Sequence, residues 1–217
     1  MHFEILVEGE SDLQALNPIM KKMVGPLGYI HTWKIHKHKG KGNFPDDPTK
    51  PPEKKHNQLL NMLPSRLRAY GKSLDENKAV IVLVDADKDN CIELKSRLTS
   101  LLDYCDPKPT VLFRIAVEEL EAWWLGDRKA LLKAYPVAQD NIDVLDNYVQ
   151  DSICGTWELL ADAIYPGGST KLKKIGFPAN AKEKTDWAKI ISPFINILRN
   201  KSPSFTQFRD GLRRLIL

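Results

Sequence analysis

The run AVIVLV at residues 79–84 limits the folds open to this chain more than any other segment. No polar residue interrupts it, and such runs are typical of a strand in a parallel sheet that is covered on both faces. The letters DADKDN follow directly, so Asp85 and Asp87 come where the strand is expected to end. The segment therefore predicts a buried parallel strand with carboxylates at its carboxyl end.

The segment FEILVEGESD near the amino terminus shows the same pattern. Its apolar residues predict a short buried strand over residues 3–7, which delivers Glu8 at its end. Gly9 lets the backbone turn tightly after Glu8, and Ser11 is expected to cap a helix that follows. Two strands that each end in acids indicate one shared site.

The rest of the chain alternates between strand-like and helix-like segments. Residues 29–36 and 110–117 predict two further strands, and the segment EELEAWWLGDRKALLKAY after the last strand predicts one helix. Beyond about residue 136 the pattern is helical and rich in loops. This alternation predicts an α/β fold with a mostly parallel sheet.

Acids also follow the strand predicted at residues 110–117, namely Glu118, Glu119 and Glu121. In an open α/β sheet, ligands bind beyond the carboxyl ends of the strands, so we expect these acids to lie near Glu8 and Asp85. Asp85 and Asp87 are two residues apart, and in extended chain this spacing points both side chains the same way. The sequence thus predicts a cluster of carboxylates at one edge of the sheet.

Gathered carboxylates repel one another, and burial makes each charge more costly. Magnesium or manganese relieves both effects, because these ions prefer oxygen ligands. The bland alternative is that each motif is a common loop sequence and that the acids after residue 117 only favour a helix dipole. Because three strands end in acids at one edge, we favour a metal site, for which phosphate is the natural substrate group.

The composition narrows the class of protein only slightly. The 217 residues carry a net charge of +4, with lysines concentrated in residues 34–56. No apolar run approaches the roughly 20 residues of a membrane helix, and no signal-peptide pattern precedes the first strand, so we expect a cytoplasmic protein. Cys91, Cys105 and Cys154 form no C-x-x-C pair, which argues against a zinc site and a disulfide framework.

Two motifs of this chain resemble those of Toprim domains, the fold shared by topoisomerases, primases and several nucleases. ILVEGESD and VLVDADKDN look like the glutamate and D-x-D motifs of that fold. More narrowly, VDADKDNCIELKSRL, FRIAVEELEAWWLGD and RNKSPSFTQF resemble stand-alone bacterial Toprim proteins, which are similar to the nuclease half of the OLD (overcoming lysogenization defect) proteins. The resemblance runs from residue 3 to the end of the chain.

The resemblance implies a Toprim-like α/β fold whose mostly parallel sheet is covered by helices on both faces. The catalytic core would comprise residues 1–135, and residues 136–217 would form a helical extension packed on the core as one compact unit. The implied activity is phosphodiester hydrolysis that depends on Mg²⁺ or Mn²⁺, with two ions stabilising the attacking and leaving oxygens. A metal-bound water would be the nucleophile.

The resemblance also assigns residues to the two metals. The acids at the first metal or in its water shell would be Glu8, Asp12, Asp85 and Asp87. The acids at the second metal would be Glu119 and Glu121. Glu118 ranks below them, because related proteins often carry a basic residue at this position.

A cation is needed to offset charge on the phosphate. Arg199 and Lys201, beside the Ser-Pro-Ser-Phe turn, are the first candidates, with Lys171 and Lys41 behind them, although each alone is more often a surface residue. The loop HKGKG at residues 38–42 could hold backbone phosphates, but it lacks the spacing of a Walker A motif. The adjacent Trp123 and Trp124 could stack on bases, but their helical positions favour packing in the core.

The favoured function is a nuclease, with DNA preferred to RNA as substrate, that acts with a separately encoded ATPase in a phage-defence module. The ATPase and the defence role rest on the resemblance to OLD proteins alone. One alternative is an RNA-processing Toprim endoribonuclease, since the motifs do not distinguish DNA from RNA. The other is a non-catalytic nucleic-acid-binding subunit, although such a protein has no physical need for so many repelling carboxylates. The oligomeric state stays open.

Overall fold

A parallel sheet forms the centre of the protein. In the computed structural model, which describes residues 1–53, 55–73, 75–152 and 155–216, four parallel strands form this sheet in the order β2-β1-β3-β4. The strands are β1 (His2–Val7), β2 (Thr32–Lys37), β3 (Lys78–Asp85) and β4 (Val111–Ala116). The predicted α/β class is confirmed, and the arrangement is consistent with a Toprim-like fold.

The sheet is covered on both faces, as the uninterrupted apolar run predicted. Successive residues of a strand point to opposite faces. Ile5 and Ile81 belong to the larger apolar cluster, whereas Leu6 and Val82, one residue further along, belong to the smaller one. A strand buried on both sides has no solvent face, so polar residues do not alternate along it.

Helices cover the two faces unequally. The smaller cluster is closed by α2 (Leu59–Ser73), α3 (Cys91–Ser100) and a 3₁₀ turn (Leu101–Tyr104). The larger cluster is closed by α1 (Glu10–Val24), α4 (Glu121–Leu125), α5 (Arg128–Ala134), α6 (Ile142–Asp146), α7 (Thr156–Ile164), α8 (Gly168–Ile175), α9 (Ala179–Ile191) and α10 (Pro203–Ile216). Two further 3₁₀ turns comprise Pro136–Gln139 and Ser192–Phe194.

The carboxyl-terminal helices share the core of the sheet. Leu160 and Phe205 lie in the same apolar cluster as Phe3 and Ile81. The part of residues 136–217 that the structure describes contains helices and loops and adds no strand to the sheet. Among the described residues, no helix is both long enough and apolar enough to cross a membrane.

Two helix boundaries differ from those expected. Helix α1 begins at Glu10 rather than after Ser11, because the carboxylate of Asp12 accepts a hydrogen bond from the backbone N–H of Gly9 and fixes the turn earlier. The predicted single helix after β4 is two helices, α4 and α5. The two helices are separated by Gly126 and Asp127. A Cβ atom at position 126 would lie 2.2 Å from Oδ1 of Asn200, which is too close for any side chain. The carboxylate of Asp127 accepts a hydrogen bond from the N–H of Ala130 and caps α5.

The cysteines give no sign of a metal site or a cross-link in the described residues. Cys91 and Cys105 are free thiols, partly buried and buried respectively. Cys154 lies outside the described residues.

Candidate active site

The first strand ends at the point where the strand order reverses. From β1 the chain continues to β2 on one side of the sheet, whereas β3 and β4 lie on the other side. Such a switch point leaves a crevice beyond the carboxyl ends of its strands. Glu8 follows β1 and Asp85 ends β3, and the N–H of Asp85 donates a hydrogen bond of 2.8 Å to Oε1 of Glu8. The structure thus brings together the two acids that the strand patterns predicted to share a site.

Asp12 joins this pair from the first turn of α1. Its Oδ2 accepts a hydrogen bond of 2.8 Å from the N–H of Gly9, and the residue is buried. Burial raises the pKa of Asp12 to about 6, and the nearby charge of Glu121 acts in the same direction. The carboxylate of Asp12 therefore stabilises the first turn of α1 and also belongs to the acidic cluster.

The second group of acids comes from the turn after β4 and the start of α4. Glu121 is only 2% exposed and Glu119 is partly buried. The ammonium of Lys184, on α9, lies 2.9 Å from Oε1 of Glu119 and 3.2 Å from Oε1 of Glu121. Burial raises the pKa of Glu119 to about 7 and the charge of Glu121 adds to this effect, while Lys184 opposes it.

Uncompensated negative charge dominates the cluster. Burial raises the pKa of Glu8 to about 8, and the charges of Asp12 and Asp87 contribute in the same direction. The pKa of Asp85 is raised well above its ordinary value by burial and then by the charges of Glu8, Asp12 and Glu121. A bound proton or a nearby cation therefore stabilises Glu8 and Asp85 near neutral pH.

Asp87 occupies a different place from Asp85. Strand β3 ends at Asp85, and Asp87 has a φ of 51°, so the expectation that both side chains point the same way in extended chain is wrong. The N–H of Asp87 donates to the carbonyl of Glu118, which fixes this left-handed turn. The carboxylate of Asp87 is half exposed and lies at the rim of the cluster.

Lys41 provides the cation at this rim. Its ammonium lies 2.9 Å from Oδ2 of Asp87 and 2.8 Å from Oδ2 of Asp89, and it donates to the carbonyl of Ala86. The N–H of Gly40 donates a hydrogen bond of 2.9 Å to the carbonyl of Glu8, so the loop that carries Lys41 is fixed at the site. The sequence ranked Lys41 behind Arg199 and Lys201 as a cation for the phosphate, and the structure places Lys41 against Asp87 and Asp89.

Arg199 and Lys201 do not join the cluster. The guanidinium of Arg199 pairs with the buried carboxylate of Asp127 through contacts of 2.9–3.1 Å. Lys201 donates its backbone N–H to the carbonyl of Gly126, and its exposed side chain borders a cavity beside Tyr148. The Ser-Pro-Ser-Phe region thus holds the end of α4 in place. In the part of the chain that the structure describes, neither side chain pairs with an acid of the cluster. Assigning them to catalysis is therefore not supported by their positions.

Glu118 also has a structural role. Its φ is 58°, and its carboxylate accepts hydrogen bonds from the N–H groups of Gly155 and Thr156, the latter at 2.6 Å, at the start of α7. This capping turns the side chain toward α7. Its rank below Glu119 and Glu121 agrees with this position.

The remaining candidates lie elsewhere. Lys171, on α8, places its ammonium 6.0 Å from the ring centroid of Tyr165. Trp123 and Trp124 are fully buried and donate their indole N–H groups to Ser204 and Ser192, both at 3.0 Å. The prediction that these tryptophans pack in the core is confirmed.

Lys184 was not predicted from the sequence. Lys184 lies in the segment NAKEKTDWAKII, more than 60 residues after its partner Glu121 in the sequence. One signal was present: Trp187, Ala188 and Ile191 form the buried face of α9, and Lys184 lies three, four and seven residues before them. A lysine on the apolar face of a helix needs a buried partner.

The chemistry of the donor set suits magnesium or manganese. Over the described residues, no group of three or more His, Cys, Asp or Glu side chains is arranged to hold a metal. Oε2 of Glu119 and Oε1 of Glu121 are nevertheless buried and accept no well-formed hydrogen bond, despite the nearby Lys184. Buried oxygen donors with unsatisfied lone pairs, close to other acids, favour a hard cation.

A comparison with known families places the chain. The family model described as "Domain of unknown function (DUF4276)" matches residues 7–213. The chain belongs to the DUF4276 family. The DUF4276 match includes every carboxylate of the cluster as well as Lys41 and Lys184. No curated protein and no solved structure matches the chain.

Proposed function

We propose that this DUF4276 protein is a phosphodiester hydrolase that depends on Mg²⁺ or Mn²⁺ and cleaves nucleic acid, DNA in preference to RNA, in the cytoplasm. The observation that carries the proposal is the bond of 2.8 Å between the N–H of Asp85 and Glu8 at the switch point. It supports a site at the place where α/β sheets bind their ligands. The resemblance to Toprim nucleases of the OLD type supports the same activity.

The residues that would hold the ion are Glu8, Asp12 and Asp85. All three carboxylates have raised pKa values. The charge of Asp12 raises the pKa of Glu8, and the charges of Glu8 and Asp12 raise the pKa of Asp85. When bound, a divalent ion would lower the pKa of a coordinated water and offset charge on a phosphate. The protein's own contribution is to hold these acids close together in a partly dry environment, where the ion is bound more strongly than in water.

A cavity with basic side chains lies beside Asp87, at the rim of the acidic cluster, and is suited to the phosphate backbone of a nucleic acid. It has a volume of about 480 Å³ and is lined by Lys41, Lys88 and Arg97 together with Asp87 and Asp89. The guanidinium of Arg97 lies 4.2 Å from the ring centroid of Phe44, and this stacking keeps its donors near the cavity wall. Cations next to a carboxylate cluster suit a substrate that carries phosphate groups.

Cleavage of defined substrates tests the proposal. Supercoiled plasmid, single-stranded DNA and structured RNA are incubated with the purified protein in Mg²⁺, in Mn²⁺ and in EDTA. We expect metal-dependent cutting that Asp85→Asn abolishes and that Asp140→Asn, an exposed carboxylate remote from the acidic motifs in sequence, leaves unchanged. Cutting that persists in EDTA would contradict the proposal.

Calorimetry with Mn²⁺ covers the case in which the isolated protein cuts nothing. Metal binding that Asp85→Asn removes would support a nuclease that needs its separately encoded ATPase partner, as proposed from the OLD resemblance and its phage-defence setting. Cutting of RNA alone would support the RNA-processing alternative. Nucleic-acid binding without any metal binding would support the non-catalytic subunit instead.

A further inference from the structure

We infer that the ammonium of Lys184 takes the place of the second divalent ion at Glu119 and Glu121, so that the centre binds one divalent ion rather than two. The inference rests on the proposed metal-dependent function, and it differs from the two ions that the Toprim resemblance implies. It also assigns a role to a basic residue that contacts both of these acids.

The contacts of Lys184 are those of a bridging cation. Its Nζ lies 2.9 Å from Oε1 of Glu119 and 3.2 Å from Oε1 of Glu121, so one ammonium contacts both acids assigned to the second metal. A divalent ion bound to the same oxygens would lie beside the ammonium. Two cations in a poorly screened site repel each other strongly, so Lys184 and a second ion compete.

The lysine is held in place by the fold. Its side chain is 25% exposed, and the buried Trp187 and Ile191 fix α9 against the core. Helix α9 packs on α1, the helix that carries Asp12. The same packing that positions Asp12 therefore positions Lys184, and moving the ammonium away would require the side chain to leave an ion pair with two carboxylates.

Among the described residues, Glu8, Asp12 and Asp85 form no direct ion pair with Lys184, although its charge acts on Asp12 and Asp85 from further away. Lys41 reaches Asp87 and Asp89 at the rim, and its contacts do not include Glu8 or Asp85. Glu8, Asp12 and Asp85 therefore remain available for one divalent ion, whose Lewis acidity the lysine cannot replace.

Counting bound ions tests the inference directly. Mn²⁺ binding is measured by calorimetry and by the electron paramagnetic resonance signal of free Mn²⁺, so the readout does not depend on activity. We expect one ion per chain for the wild type and two for Lys184→Met, which keeps the length of the side chain but removes its charge. Lys184→Arg keeps the charge and is expected to bind one ion.

Lys182→Met is the matched control. Lys182 lies on the same helix and pairs with Asp186 rather than with the cluster, so its replacement is expected to leave the count at one. Far-UV circular dichroism checks that each variant is folded. If Lys184→Met does not fold, Lys184→Gln replaces it, and the wild-type count remains a test by itself.

Each outcome separates the inference from the proposed function. Two ions in the wild type would overturn the inference and leave the metal-dependent function intact. One ion in both the wild type and the folded Lys184→Met would also overturn it, because vacating the position would not admit an ion. No binding in any of these proteins would contradict the metal-dependent function itself.

Discussion

The N–H of Asp85 donates a hydrogen bond of 2.8 Å to the carboxylate of Glu8, which joins the ends of two adjacent parallel strands. A backbone donor sets the direction of the Glu8 side chain more rigidly than a flexible partner would. The carbonyl of Glu8 accepts from Gly40 at 2.9 Å, so the lysine-bearing loop is attached to the same residue. Glu8 is therefore the point at which both β3 and the Lys41 loop meet the acidic cluster.

Asp85→Asn is expected to stabilise the protein when no divalent ion is present. The substitution keeps the size of the side chain and removes a carboxyl group whose ionisation is disfavoured by burial and by neighbouring acids, which raise its pKa well above the ordinary value. We expect the free energy of unfolding in EDTA at about pH 8 to rise by about 1 kcal/mol. Urea unfolding measures this change, with Asp140→Asn as the control; a loss of stability would show that the charge is already compensated.

Stability without divalent ions is expected to fall as the pH rises from about 5 to about 8. The folded protein holds the pKa of Glu8 near 8 and that of Glu119 near 7, against ordinary values of 4.5. In this interval the folded state binds more protons than the unfolded chain, so raising the pH favours unfolding. Urea titrations at several pH values measure the slope, and we expect Mg²⁺ to reduce it.

Lys41→Ala is expected to weaken binding of nucleic acid more than binding of metal. The variant loses one cation of the basic cavity but none of the acids Glu8, Asp12 and Asp85. Loss of one charged contact corresponds to about a tenfold weaker affinity. Fluorescence anisotropy with a labelled oligonucleotide measures this effect. Lys39→Ala, an exposed lysine two residues away, is the control; equal effects of the two substitutions would remove Lys41 from the substrate site.

Arg199→Ala is expected to lower stability and to leave metal binding unchanged. The substitution leaves the buried carboxylate of Asp127 without its ion pair, although the N–H groups of Ala130 and Asn196 still donate to it. Because Arg199 is 40% exposed, we expect a loss of about 1–2 kcal/mol rather than the larger cost of a fully buried pair. Lys201→Ala is the control, and a loss of metal binding in Arg199→Ala with stability retained would restore Arg199 to the site.

Glu118→Ala is expected to destabilise the start of α7 without changing the number of ions bound. The side chain accepts from Gly155 and Thr156, as a helix cap does, and removing such a cap costs about 1 kcal/mol. Thermal unfolding and Mn²⁺ titration of Glu118→Ala and Glu119→Ala compare the two neighbours. A change in ion count for Glu118→Ala would contradict the capping role.

Local pattern was enough to predict the four strands, although β2 begins at Thr32 rather than at residue 29, and to predict that Glu8 and Asp85 meet. A strand buried on both faces must be apolar throughout, and AVIVLV is; the structure places β3 over Lys78–Asp85. Glu8 and Asp85 were predicted to meet because carboxyl ends of parallel strands share an edge, a consequence of topology that needs no knowledge of side-chain packing.

The remaining parts of the site depend on packing between distant segments. Lys184 reaches Glu119 and Glu121 only because α9 packs on α1, which no local pattern specifies. Arg199 was placed at the site because it adjoins a distinctive turn. Its partner, Asp127, lies at the break between α4 and α5, which itself was not predicted. Charge can be read from a sequence, but the partner of a charge cannot.

The loop of Lys41 is anchored at both of its ends. On one side, His38 and Gly40 donate to the carbonyls of Val7 and Glu8; on the other, the N–H groups of Leu59 and Leu60 donate to the carbonyls of Gly40 and Lys41. The chain between residues 43 and 58 thus begins and ends beside Lys41, and within it Phe44 packs against the smaller apolar cluster. Because the anchoring bonds are made by residues 38, 40 and 41, a change of length beyond Phe44 is expected to leave Lys41 beside Glu8 and to alter only the surface that this interval presents.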